Sequence, residues 1–139
     1  MRTSSDPSNS SSWRARDPRL GRSTVTRLLH IVDRSTWAAV PDDEDYRPAD
    51  YAEVGFIHLS TPELVLIPAN AFYAGRDDLL LLDLDPDVLG DAVRFEPGVP
   101  PSGDLLFPHL YGPIPRAAVL GVIPFPRDRA GHFVLPRGL

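Results

Sequence analysis

The chain has 139 residues, which suits one domain, and 42% of them are apolar, so it can bury a core. It has no cysteine, which excludes thiol nucleophiles, disulfides and thiolate metal sites, and no lysine, which excludes a lysine Schiff base and a P-loop lysine. Residues 1–24 hold five arginines and two aspartates while the rest of the chain holds nine arginines and 17 acidic residues; an acidic body offers no broad surface to nucleic acid.

Residues 1–24 contain seven serines and no apolar periodicity, and read as a disordered tail. Val25 to Val32 is the first predicted strand and carries His30. Asp33, Ser35 and Thr36 offer helix caps before a short helix over Trp37–Val40. Pro41 to Asp50 is an acidic turn and loop, and Tyr51 to Val54 a helical turn ending at Gly55. Phe56 to Ser60 is the second strand and delivers His58. Ser60 and Thr61 then stand as caps before Pro62, which suits a first helical position. Pro62 to Ala74 is the main predicted helix. Leu64, Ile67, Ala71 and Phe72 form its inward stripe, Pro68 bends or splits it, and Gly75 stops it.

Leu79 to Leu84 is too continuously apolar for a strand with one wet face, so it belongs in the middle of a sheet. Asp85-Pro86 and Asp87–Leu89 make a turn, Ala92 to Glu96 a strand, and Pro97 to Asp104 a loop. Leu105 to Tyr111 regains apolar character and carries His109. Arg116 to Ala118 is a helical turn before a last strand over Val119–Ile123, and 125–139 reads as a C-terminal tail. Strands around one longer helix and several helical turns indicate an α+β class, with the domain spanning 25–124. No apolar run reaches bilayer length and no apolar leader region is present, so the expectation is a soluble protein, cytoplasmic if bacterial.

Three histidines, His30, His58 and His109, lie in strand-like apolar surroundings, with Ser60, Thr61, Arg76, Tyr111 and Glu96 as candidate neighbours. Their structural alternatives are core histidines bonded to carbonyls, an Arg76–Asp77–Asp78 turn held by ion pairing, and a solvated strand end at Glu96. No H-x-x-x-H or H-x-H pair is present, so no metal is expected. There is no G-x-S-x-G elbow and no G-x-G-x-x-G loop.

The segments Leu28–Val32, Gly55–Thr61 (G-F-I-H-L-S-T), Ala69–Leu82, Val93–Glu96 and Leu106–Pro113 (L-F-P-H-L-Y-G-P) resemble the family called domain of unknown function 952. That family looks like a small ADP-ribosyltransferase-like fold with a split, mostly antiparallel sheet and short helices. Within such folds it is similar to the RNA 2′-phosphotransferase branch. The resemblance implies NAD as candidate cofactor, with His30 at the position that bonds a ribose hydroxyl and His58 near the nicotinamide ribose. It implies binding roles for Ser60, Thr61, Arg76 and Tyr111. It leaves the third signature position open between Glu96 and the segment of His109. The implied function is an NAD- or ADP-ribose-related transferase or hydrolase. A nucleotide- or metabolite-binding module and an acid/base enzyme of specialised metabolism are the alternatives, each with a small-molecule or nucleotide partner and no membrane partner.

Overall fold

A computed structural model describes residues 27–101 and 103–139; the predicted tail over 1–24 lies outside them. The protein is an α+β domain built on two three-stranded antiparallel sheets. The first contains β1 (Leu28–Asp33), β3 (Leu79–Leu84) and β6 (Val119–Pro124) in the order β1–β3–β6. The second contains β2 (Ile57–His58), β4 (Val93–Pro97) and β5 (Leu106–Leu110) in the order β2–β5–β4. The helices are short: α1 (Arg34–Ala38), α2 (Tyr51–Val54), α3 (Leu66–Phe72) and α4 (Pro86–Leu89).

β3 lies in the middle of its sheet, as its apolar run requires, and all six of its residues are buried. Both of its faces are covered. Leu80, Leu82 and Leu84 share a core cluster with Leu28 and Val32 of β1, with Ile57 and Leu110 of the second sheet and with Leu59 just after β2. Leu79 and Leu81 face the other way, onto Leu29, Val65, Ala69, Phe125 and Phe133. The alternation along one strand therefore joins two clusters through a single layer. Asp83 is the polar exception on β3, and the Arg27 Nε stands 3.3 Å from its Oδ1.

Local chemistry sets the element ends near the histidines. Asp33 caps α1, accepting from Thr36 N at 2.9 Å and from the Ser35 and Thr36 hydroxyls. These bonds hold its carboxyl at about 2. Gly55, at φ +93°, ends α2 in the left-handed region that a side chain disfavours, and turns the chain into β2.

Several elements differ from their sequence-based expectation; the first helix covers Arg34–Ala38 and not Trp37–Val40. The second strand pairs over Ile57–His58 alone, and Ser60 leaves it to pair with Leu29 of β1 through bonds of 2.7 and 2.8 Å. This crossing is where the sheet splits. The main helix begins at Leu66, with 62–65 forming a turn whose Leu64 and Val65 N–H groups reach the Thr61 carbonyl, not a Ser60 or Thr61 side chain. Pro68 thereby falls in the first helical turn, where its missing donor has no intrahelical partner to lose. The inward stripe is then Val65 and Ala69, while Ile67 and Phe72 are exposed, Phe72 by 64%. Finally, 125–139, read from the sequence as a C-terminal tail, packs onto the domain. Arg127 and Phe133 pair across a turn, Phe133 N donates to Asn70 Oδ1 at 2.8 Å, and Phe125 and Phe133 are buried against β3. Among the described residues no helix is long and apolar enough to cross a membrane.

Candidate functional site

His30 sits on β1 between Leu28 and Val32 and is 8% exposed. Its Nδ1 lies 2.8 Å from the His58 carbonyl oxygen. A carbonyl only accepts, so Nδ1 carries the proton and Nε2 is left as an acceptor in the neutral ring. Burial pushes the imidazole down to about 4; the His58 hydrogen bond opposes this, the His58 charge adds to it, and Asp50 opposes it weakly. His30 is therefore neutral at neutral pH. The Tyr46 ring lies 5.8 Å away, itself buried and pushed up to about 12 by desolvation and the fields of Asp33 and Asp50. Tyr73 is raised for the same first reason, against the Arg76 charge and with Asp50 and Asp33 again acting on it.

His58 is exposed, yet desolvation of its ring, and then its His109 neighbour, lower its pKa against the pull of Asp50. Its strand position opposes His109, and His109 in turn opposes Arg94. Residues directly opposite in antiparallel strands share a face, and so do residues two apart in one strand. That face of the second sheet thus gathers Phe56, His58, Arg94, Glu96, His109 and Tyr111. Phe56 stacks on His109 at 4.0 Å, and the His58 ring stands at right angles to His109 at 5.5 Å. His109 is 2% exposed, and its Nδ1 lies 2.9 Å from Glu96 Oε1. The Tyr111 hydroxyl donates to the same oxygen at 2.5 Å, and Arg94 lies over the Tyr111 ring. The Tyr111 and then the His109 bond hold the Glu96 carboxyl below its ordinary range. Among the described residues, the buried Nε2 of His109 has no hydrogen-bond partner.

The fold therefore brings His58, His109 and Tyr111 into one cluster and ties His30 to it through the His58 backbone. Ser60 and Thr61 are buried immediately after His58, in the crossing between sheets. Arg76 follows α3, exposed and bonded through Nε and Nη2 to both Asp78 oxygens at 2.9 and 2.7 Å. That pairing is its structural alternative, realised with Asp78. Glu96 is more than a solvated strand end, since it holds two site residues. Tyr46, Asp50, Tyr73 and Phe56 also belong to these surroundings. Only Phe56 carried a local signal, its two-residue spacing from His58. Among the described residues no group of three histidine, aspartate or glutamate side chains is arranged to hold a metal ion.

The crystal structure of protein CC0527 from Caulobacter crescentus is similar to this fold, with a TM-score of 0.69 and 29% sequence identity, covering 79% of this chain and 95% of that one. The solution NMR structure of CC0527 gives a TM-score of 0.64 at 28% identity, over 76% and 90% of the two chains. No curated protein matches the chain. The family model described as "Protein of unknown function (DUF952)" matches residues 31–122, a span that begins one residue after His30 and takes in His58, Glu96, His109 and Tyr111. Since that match covers about two thirds of its length, the chain belongs to the DUF952 family.

Proposed function

We propose that the protein is an ADP-ribosyltransferase-like enzyme, a transferase or hydrolase that takes NAD or an ADP-ribose-bearing ligand between His30 and His58. The observation that supports this most is the state of His30. Its Nδ1–H is committed to the His58 carbonyl, and burial keeps the ring neutral. Nε2 is then a fixed acceptor, suited to a ribose hydroxyl, and it brings no charge of its own. The His58 ring is exposed and has a lowered pKa, so near neutral pH it can donate through one nitrogen and accept through the other.

NAD supplies a glycosidic bond that breaks with nicotinamide as the leaving group. The chain's own residues orient the ribose and fix its hydroxyls, so their effect comes through positioning and preorganised dipoles. Asp50 adds a negative field that acts on both imidazoles. The test is nicotinamide release from NAD, followed by chromatography, for the full chain and for His58→Ala. Release by the parent and its loss in a folded His58→Ala support the reading. Absence of release together with absence of NAD or ADP-ribose binding contradicts it.

A further inference from the structure

The unpartnered nitrogen of His109 lies in a built setting. Glu96, whose pKa is lowered, is ionised at neutral pH and can only accept, so the proton it faces belongs to His109 Nδ1. Tyr111 donates to the same carboxylate oxygen and anchors it from a second side. Phe56 stacks flat on the imidazole and resists its rotation. The Nδ1–H is therefore committed to Glu96, while Nε2 is buried and has no partner among the described residues. Buried polar atoms are normally paired, and one held unpaired by this much surrounding structure calls for a partner. His58 is the exposed ring packed against His109, so a ligand resting on His58 lies beside the His109 ring. A carboxylate holding Nδ1–H while Nε2 faces a hydroxyl is the arrangement that orients a histidine base.

We propose that His109 Nε2 is the acceptor for a hydroxyl of the ligand held by His30 and His58, with Glu96 as its positioning residue. The inference rests on the reading of His30 and His58 as ligand-holding, and it adds a third contact of defined chemistry: a neutral hydroxyl donor, not an anion.

The experiment uses the full chain carrying isotope-labelled histidine and reads each ring nitrogen by NMR at neutral pH. The probes are ADP-ribose and, as contrast, inorganic phosphate. In the free protein His109 should show a protonated Nδ1 and a bare Nε2. ADP-ribose should move the Nε2 signal toward the hydrogen-bonded range, and phosphate should not. Glu96→Ala should mix the tautomers and abolish the response. Glu96→Gln should restore it, because its carbonyl oxygen can still accept from Nδ1–H. A protonated Nε2 in the free protein overturns the proposal, as does a tautomer unchanged in Glu96→Ala. If ADP-ribose moves His30 and His58 while His109 stays still, the His30–His58 reading stands and this one falls. If no histidine responds, both fall. A response to phosphate alone makes the site an anion site and refutes the hydroxyl assignment.

Discussion

Replacing His30 with glutamine should remove a defined portion of the protein's acid sensitivity. An unfolded histidine titrates near 6.5, whereas His30 in the fold titrates at about 4. Between those values the unfolded state binds more protons than the native state, so stability rises with pH across the window and is lost as pH falls through it. At about 1.4 kcal/mol per unit, the loss attributable to His30 is about 3 kcal/mol, complete near the folded value and flat below it. Glutamine cannot titrate, and its amide N–H can still reach toward the His58 carbonyl, so His30→Gln should lose about 3 kcal/mol less than the parent over that window. The depressed carboxyls of Asp33, Asp78 and Glu96 also cost stability on acidification, but they are common to both proteins and cancel in the difference. Urea melts at a series of pH values give the comparison. Parallel loss in parent and variant would refute the account of His30 as a buried neutral ring.

Phe133→Ala should destabilise the protein by about 3–5 kcal/mol, the range for deleting a buried ring, because Phe133 is packed against Phe125 and the outer face of β3. A urea midpoint close to that of the parent would mean that the C-terminal segment does not carry that cluster. Arg76→Ala should leave both the melting temperature and ADP-ribose affinity unchanged, since its guanidinium is exposed and paired with the exposed Asp78; a clear drop in affinity measured by calorimetry would make it a ligand contact after all.

What was legible in the sequence was short in range. The unbroken Leu79–Leu82 run announced a strand covered on both faces, because no partly wetted strand spends its outward positions that way. Asp33 three residues before Thr36, and Gly55 after Val54, announced a cap and a stop by local backbone chemistry. The helix stripe differs from the expected one because Pro68 acts on position as well as on shape. Placing it in the first turn moves the start of the helix and rotates Val65 and Ala69 inward in place of Ile67 and Phe72. At the candidate site, the three histidine-bearing strands were visible as apolar segments. The Glu96–Tyr111 bond was not, since it depends on the β4–β5 register across fifteen residues. Tyr46 was equally hidden. It lies in an acidic loop by composition and is buried where its backbone pairs with Ile114 and its ring joins the core cluster. Phe125 and Phe133 lay in a Pro- and Arg-containing stretch without periodicity, and one side-chain bond from Asn70 helps to hold it in place.

The central claim is that His30 and His58 together hold an ADP-ribose-bearing ligand, and calorimetric titration of ADP-ribose into the full chain tests it most directly. The parent should give a saturable heat. His58→Ala should retain the parent's melting temperature, because His58 is exposed and its contact with His30 runs through the backbone carbonyl. Its affinity should nevertheless fall by about tenfold or more, corresponding to a lost hydrogen bond of about 1.4 kcal/mol. Absence of any saturable heat in the parent, or equal affinity in the parent and a fully folded His58→Ala, would contradict the claim.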